Sequence, residues 1–307
     1  MLVNQVSSDD KKRGVMRAAF GRVVESAAEK LVFISGVLVI LFVVLIFVFL
    51  LKDGLPVFHS VSVKEFLFGR DWQPLSEHFQ ILPLILGSLL VTAGAVIIAV
   101  PIGVASAVYL AEIAPLPVRE ILKPTVEVLA GIPSVVVGFI GMIVVAPWVK
   151  NIFDLPTGMT ALAGSIMLAF MSMPTVISIS EDAITAVPKD YKAGALALGS
   201  TPWQAISRVT VPAAKSGIIA AVMLGIGRVI GETMTVLMVT GNAAVMPTSI
   251  LQPVRTMTAT IAAEMGEVAH GTPHYFALFA IGLTLFLITF IINFIADLAL
   301  QRTRLRN

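Results

Sequence analysis

The chain has 307 residues, of which 57% are hydrophobic and 13% are charged, and its net charge is +2. Soluble domains carry about 25% charged residues, so the composition excludes an ordinary soluble protein and favours a polytopic helical membrane protein. The chain contains no cysteine, which excludes disulfides, thiolate metal sites and cysteine nucleophiles.

The first element in chain order is an uncharged apolar run at 31–51, which follows a basic stretch. The apolar region of a secretory signal has only about 7–15 residues and precedes a small-residue cleavage site, and neither feature fits this run. The pattern therefore predicts a retained first transmembrane helix at 31–51, preceded by a cytoplasmic N-terminal tail at 1–30.

Five more segments have the length and apolar character that a membrane-spanning helix of roughly 20 residues needs. They are 81–111, 128–149, 155–180, 216–241 and 275–296, and together they predict a core domain at 81–300. The run 81–111 exceeds a hydrocarbon core of about 30 Å at about 1.5 Å rise per residue. It must therefore tilt, bend or protrude, and Pro83 and Pro101 favour a bend.

The distribution of Lys and Arg predicts the orientation of these helices. Basic residues concentrate in the N-terminal tail, in loops 112–127 and 181–215 and at the C-terminus. The positive-inside rule therefore places both termini in the cytoplasm and the long loops 52–80 and 242–274 on the periplasmic side. The predicted fold class is all-α, a polytopic membrane protein with six transmembrane helices. Within 242–274 we expect a helix at about 254–269, lying either on the helical bundle or against a substrate.

The sequence gives no indication of catalytic chemistry. It contains neither a phosphate-binding G-x-x-x-x-G-K-[ST] loop nor an H-E-x-x-H zinc motif. His270 and His274 are four residues apart, but Gly271 and Pro273 argue against a helix that would bring both onto one metal. We therefore expect no metal site, no cofactor bound by this chain and no enzymatic activity.

The cytoplasmic loop 181–215 contains helix-start and helix-stop residues. Pro188 predicts a helix start at Lys189 or Asp190, and Gly199 predicts its end. Pro202 predicts a second helix, which we expect to end at Pro212. Two short helices joined by a glycine turn suit docking into a groove of a partner protein, and the alternative is an ordinary loop.

Span 216–241 contains two charged residues, Arg228 and Glu232, and Thr233 follows them. Because the charged residues are four apart, we expect them to share one helix face. A charge at the membrane centre costs at least about 2.5–3.5 kcal/mol, so they must face each other, a partner or a wet cavity. They form either a structural ion pair or part of an anion pathway, in which Arg228 would donate two parallel hydrogen bonds to phosphate and Glu232 would hold it in place.

Another candidate site is the stretch 130–134, where Gly131 and Pro133 interrupt span 128–149. Broken helices are tolerated within membranes only where protein or water satisfies the freed backbone groups. One interpretation is that exposed amides near Ser134 meet an anion, and the other is a packing kink without a ligand.

Loop 181–215 resembles the coupling loop of ATP-binding-cassette importer permeases, which reads E-A-A, three residues, G, nine residues, I-x-L-P. The matching positions carry, in order, Ala193, Gly194, Ala195, Gly199, Val209, Val211 and Pro212. Ala193 replaces the acidic residue and Gly194 replaces an alanine, whereas the turn glycine is retained. The resemblance implies that these residues dock on a separate ATPase subunit.

A more specific resemblance connects residues 80–300 with the C-type permease subunit of bacterial phosphate importers. It rests on the string Gly-Arg-x-x-Gly-Glu-Thr-Met from Gly227, on the stretches 240–242, 253–258 and 266–267, and on His-Tyr-x-Ala-Leu-Phe-Ala at 274–280. The resemblance implies a type I importer permease, multi-pass in the bacterial cytoplasmic (inner) membrane. It implies a substrate pathway at Arg228, Glu232, Thr233 and Ser134.

The same resemblance implies the partners. A homologous second permease subunit would complete the pathway, and two copies of a cytoplasmic ATPase subunit would bind ATP beneath it. A periplasmic or surface phosphate-binding protein would deliver the substrate. Membrane lipid would surround the helices, and we expect no nucleic-acid partner.

Three alternatives remain open from the sequence. The substrate could be another oxyanion (phosphonate, sulfate or molybdate), because Arg228 alone does not separate these ions. A passive anion channel would explain Arg228 but would give no reason for the two short helices around Gly199. A membrane scaffold or sensor is the third alternative, and a sensing role could coexist with transport.

Overall fold

A computed structural model describes the backbone of residues 3–304 and the side chains of Glu25 and residues 28–298. The chain divides into two compact units, Met1–Lys52 and Asp53–Asn307. Helix α1 (Val3–Gly54) makes up the described part of the first unit and ends two residues beyond it, so the backbone of the expected tail continues the first span as helix. The basic side chains that precede residue 25 and follow residue 298 lie outside the described residues.

The segment between α1 and the second span folds into short elements. These are a 3-10 turn (Leu55–His59), α2 (Val63–Phe68), β1 (Trp72–Gln73), a second 3-10 turn (Pro74–Ser76) and β2 (His78–Phe79). The two strands are antiparallel and pair Trp72 with Phe79. They form the one small sheet within the described part of this all-α protein.

The second span is α3 (Leu82–Val108), which continues as a π-helical turn (Tyr109–Ile113). The expected loop 112–127 is instead mostly helix α4 (Leu116–Ala130). Because Pro133 disfavours helical geometry at the residue before it, the third span begins at Ser134 rather than at 128. This span consists of α5 (Ser134–Ile140), a π-helical turn (Gly141–Val145) and α6 (Ala146–Phe153).

The fourth span, α7 (Ala161–Thr185), leads into the two predicted short helices. These are α8 (Lys189–Ala197) and α9 (Pro202–Ala205), joined by a turn in which Gly199 has a φ of +87°. The helical run from Pro202 continues through a π-helical turn (Ile206–Thr210) and α10 (Val211–Ala213), so it ends one residue beyond the expected end at Pro212. Pro212 lies in the first turn of α10, where a missing N–H group is tolerated.

The fifth span is broken. The segment from Pro202 bends by 68° into α11 (Lys215–Ile230), and α12 (Met234–Val239) starts after the three residues 231–233. The expected single helix over 216–241 is therefore wrong. Glycine is a weak helix former, so Gly231 allows the chain to leave the helix at this point.

The last two helices complete the fold. α13 (Met257–Glu264) is shorter than the expected 254–269, and α14 (Pro273–Arg304) is the sixth span. Among the described residues, five helices are long and apolar enough to cross a membrane, or six when the bent pair is one span. The cytoplasmic position of both termini stays a prediction.

Helices α3 and α7 form the centre of the second unit. Ala95 and Ala99 on α3 and Ala169 on α7 are buried in one cluster. A methyl group at Gly94 would overlap the hydroxyl of Ser165, so the two helices approach closely. Small residues are suited to such contacts in a membrane, where association depends on packing rather than on the hydrophobic effect. Helix α7 is thereby fixed at the centre, and α11 and α12 pack against it.

A separate apolar cluster joins the segment 55–81 and α13 to α14. Its buried side chains include Phe66, Trp72, Met257 and Leu278. Ile261 on α13 packs against this cluster. The structure therefore agrees with the interpretation that this helix lies on the bundle.

Candidate functional site

Two interruptions between consecutive helices lie against each other. We call residues 131–133, between α4 and α5, the first break, and residues 231–233, between α11 and α12, the second break. The hydroxyl of Thr235, just after the second break, donates a hydrogen bond of 3.1 Å to the carbonyl oxygen of Ser134, just after the first. This hydrogen bond joins the first turn of α12 to the first turn of α5 and so holds the two breaks together.

Arg228, one turn before the second break, is half-buried and contacts two other helices. Its Nη1 donates to the hydroxyl oxygen of Thr175 on α7 at 3.3 Å. Its Nη2 donates to the carbonyl oxygen of Ala130 at 3.2 Å, at the end of α4. The carbonyl groups of the last turn of a helix have no hydrogen-bond donor within that helix. Arg228 is such a donor for the Ala130 carbonyl at the first break.

The expected pairing of Arg228 with Glu232 is not present. The two residues do not share a helix face, because α11 ends at Ile230 and Glu232 lies in the second break. The carboxylate of Glu232 instead accepts a hydrogen bond of 3.1 Å from the backbone N–H of Thr235. A carboxylate in this place accepts a hydrogen bond from a free N–H of the first turn of α12. Its negative charge also interacts favourably with the positive end of the α12 dipole.

The other predicted pathway residues, Thr233 and Ser134, form hydrogen bonds at the two breaks. The Thr233 hydroxyl donates to the Gly231 carbonyl oxygen at 3.3 Å and closes the second break on itself. Ser134 is the first residue of α5, and its described contact with α12 is made by its carbonyl oxygen. The structure therefore brings Arg228, Glu232, Thr233 and Ser134 into one region around the two breaks.

Two threonines of this region were not identifiable from the sequence. Thr175 contacts Arg228, and the hydroxyl of Thr258 donates to the carbonyl oxygen of Glu232 at 2.8 Å. Threonine is common in membrane helices, so its presence alone does not mark a site. Each of these threonines is also far from its partner in the sequence, so no local spacing pattern connects them. Only the packing of α7 and α13 against the fifth span brings them together.

The segment 188–213, which we call the elbow, exposes large apolar side chains. Leu198 is 91% exposed, and Tyr191 and Trp203 are also mostly exposed. Around them, Ala193, Gly194, Gly199 and Pro212 are exposed, and Ala195 and Val209 are half-buried. These three large side chains of the elbow are thus left uncovered by the rest of the described chain.

The turn of the elbow is fixed by its own hydrogen bonds. The backbone N–H of Ser200 donates to the Ala195 carbonyl oxygen at 3.2 Å. The side chains of Thr201 and Gln204 each accept a hydrogen bond from the backbone N–H of the other residue, which is the capping box that starts α9. An ion pair between Lys192 and Glu112 joins α8 to the end of the second span.

An ion cluster joins α4 to α7 on the side of the elbow. The buried carboxylate of Glu181 pairs with Arg119 and, at 2.5 Å, with Lys123. Lys123 also pairs with the exposed Asp182 at 2.8 Å. Hydrogen bonds to Asp182 and Glu181 raise the pKa of Lys123 above its ordinary value of 10.5. This cluster fixes the helix that carries Ala130 to the helix that carries Thr175.

A second polar cluster centres on Glu264 at the end of α13. Its carboxylate pairs with Arg255 at 2.5 Å and with His274 at 2.8 Å, and the indole N–H of Trp72 donates to it at 3.2 Å. His270 instead packs its ring against Tyr275. Among the described residues, no group of three potential metal ligands occurs.

Comparison with known proteins gives consistent matches over most of the chain. The model of the family described as "Binding-protein-dependent transport system inner membrane component" matches residues 99–305. The probable ABC transporter permease protein YqgH of Bacillus subtilis is 41% identical over 252 residues, covering 81% of this chain and 82% of that protein. The phosphate transport system permease protein PstC of Mesorhizobium japonicum is 38% identical over 257 residues, covering 78% of each.

Solved structures show the same fold at low sequence identity. A chain of the MetNI methionine ABC transporter in an inward-facing conformation has a TM-score of 0.58 at 17% identity, covering 76% of this chain and 99% of that one. A chain of a bacterial alginate ABC transporter, in complex with a periplasmic protein, has a TM-score of 0.58 at 14% identity, covering 88% and 94%. The described helices thus have the arrangement of an importer permease.

Proposed function

The chain belongs to the family of inner membrane components of binding-protein-dependent transport systems, and from this membership we propose that it is the permease subunit of an ATP-driven importer of inorganic phosphate. It is a multi-pass membrane protein that forms part of a translocation pathway. Several relatives at 31–38% identity are phosphate permeases, which supports phosphate as the substrate.

The observation that carries the substrate class is the environment of Arg228. Its two hydrogen-bond partners are a hydroxyl and a carbonyl oxygen, both uncharged. Among the described residues, no carboxylate forms an ion pair with it, so its positive charge is not neutralised within the described part of the chain. A guanidinium in this state favours a phosphate oxyanion, to which it donates in a planar fork.

Arg228 and the two breaks form this chain's half of the phosphate pathway. Glu232 acts by capping α12 and so by fixing the second break, and Thr233 and Ser134 contribute the polar surface near it. Phosphate passes close to Arg228 and binds weakly enough to leave. A homologous second permease subunit supplies the other half.

The elbow couples this chain to an ATPase. Its exposed apolar side chains and its rigid turn suit a groove on one of two ATPase subunits, which bind and hydrolyse ATP. The permease itself holds no cofactor and catalyses no reaction. A periplasmic or surface phosphate-binding protein delivers the anion at the opposite side of the membrane.

The test is phosphate uptake in cells that carry Arg228→Gln. Membrane level and co-purification of the ATPase are measured on the same cells, and Arg70→Gln, at an exposed position in the segment 52–80, is the matched control. Loss of a hydrogen bond to a charged group corresponds to a reduction of roughly tenfold or more. We expect uptake to fall by this amount while assembly stays intact.

Two results would contradict the assignment. Loss of assembly together with uptake would show that Arg228 is structural, and normal uptake would place the anion pathway elsewhere. Competition by sulfate, molybdate and phosphonate in the same assay distinguishes phosphate from the related oxyanions. Equal inhibition by one of these ions would make that ion an equal candidate for the substrate.

A further inference from the structure

The guanidinium of Arg228 is held between two helices that are themselves fixed to each other. Thr175 lies on α7, and Ala130 ends α4, and Arg228 reaches both from α11. The ion cluster around Glu181 joins α4 to α7. Both partners of the guanidinium therefore belong to one rigid pair of helices.

The hydroxyl of Thr175 is used differently from other hydroxyls in the spans. The hydroxyl of Thr284 donates to the carbonyl of Ala280 one turn earlier, at 2.8 Å, and that of Ser165 donates to Ala161 at 2.8 Å. Such back-bonding satisfies a hydroxyl within its own helix. Thr175 instead accepts a hydrogen bond from a charged side chain of another helix.

The two contacts leave most of the guanidinium free to bind an anion. A guanidinium has five N–H groups, and one on each terminal nitrogen is used by Thr175 and Ala130. The second N–H of each terminal nitrogen and the Nε–H remain. Because the group is planar, fixing two of its N–H groups also fixes the direction of the others.

We propose that Thr175 is a positioning residue for transport, which holds the Arg228 guanidinium so that its remaining N–H groups meet the anion at the two breaks. This inference rests on the proposed function of Arg228. The carbonyl of Ala130 is the second support, and a side-chain substitution cannot remove it. Thr175 is thus the member of the pair that mutation can test.

Loss of the Thr175 hydroxyl leaves Arg228 charged but free to rotate about its remaining contact. The anion then meets a guanidinium in many orientations, and passage slows although the charge is unchanged. Thr175 lies on α7, away from the elbow, so the ATPase contact is not altered. We therefore expect less phosphate to be moved for each ATP hydrolysed.

The experiment uses the assembled importer in proteoliposomes, with the phosphate-binding protein and ATP. Thr175→Val removes the hydroxyl at similar volume, Thr175→Ser retains it, and Thr284→Val is the same substitution at a hydroxyl that bonds its own helix. Phosphate uptake and ATP hydrolysis are measured per assembled complex. We expect Thr175→Val to lower uptake roughly tenfold, with a smaller loss of ATP hydrolysis. Thr175→Ser and Thr284→Val stay within about twofold of the parent.

Three results would overturn the proposal. These are unchanged uptake in Thr175→Val, a parallel fall of uptake and ATP hydrolysis, which indicates a packing role, and failure of Thr175→Ser to restore uptake. Arg228→Gln is assayed beside these variants. Normal uptake in Arg228→Gln would refute the proposed pathway itself, whereas an effect of Arg228→Gln without one of Thr175→Val would refute only the positioning role.

Discussion

Replacing Glu181 by Gln removes the buried charge that joins α4 to α7. The Glu181 side chain is 1% exposed, and its partners Arg119 and Lys123 are 30% and 34% exposed. Removal of one member of a fully buried ion pair costs about 3–5 kcal/mol. Because water reaches both partners here, we expect a lower cost of about 2 kcal/mol, or roughly 30-fold in the local opening equilibrium.

The assay is hydrogen exchange of the α4 amides in the purified protein in detergent. Asp182→Asn is the matched control, because Asp182 pairs with the same lysine but is 63% exposed. An exposed pair contributes about 0–1 kcal/mol, which corresponds to less than roughly fivefold faster exchange. If Glu181→Gln and Asp182→Asn accelerate exchange equally, burial does not determine the strength of this cluster, and the reasoning is wrong.

Three further predictions concern the elbow, the packing of the third span and the stability of the protein at alkaline pH. Gly199→Ala strains the turn, because Gly199 has a φ of +87°, and the strain costs about 1–2 kcal/mol. We expect this substitution to lower co-purification of the ATPase. Gly194→Ala is the control and should leave co-purification unchanged, because its methyl group meets no atom within 4 Å. Gly158→Ala forces a methyl group onto a backbone oxygen of α6, so we expect a lower melting temperature than for Gly194→Ala. The raised pKa of Lys123 contributes stability that is fully present below pH 10.5 and is lost as the pH rises through the folded-state value. Melting temperature measured against pH should therefore fall above pH 10.5, and Lys123→Gln should show less of this fall.

Much of the fold follows from local sequence patterns. Long apolar runs predict spanning helices wherever they occur, because unpaired backbone groups are too costly in lipid for other structures. Gly199 predicts the turn of the elbow, because glycine adopts positive φ without steric cost. Pro133 and Gly131 likewise predict an interruption, which the structure places between α4 and α5, before the third span begins.

Contacts between distant residues could not be read from the same patterns. The spacing of Arg228 and Glu232 predicts a shared helix face, but the helix ends at Ile230 and Glu232 caps the next helix. The sequence cannot decide between these outcomes, because a carboxylate four residues after an arginine suits both. The tertiary structure favours the break, since Thr258 binds the Glu232 carbonyl and Thr235 binds the Ser134 carbonyl.

The sequence by itself determined the class of protein, the approximate positions of most spans and the presence of an arginine within one of them. Hydrophobic length and glycine or proline placement are local properties, so each could be assessed within one short segment. Only the tertiary structure decided what holds that arginine. Thr175 and Ala130 are far from Arg228 in the chain, and they meet it because α4, α7 and α11 pack together.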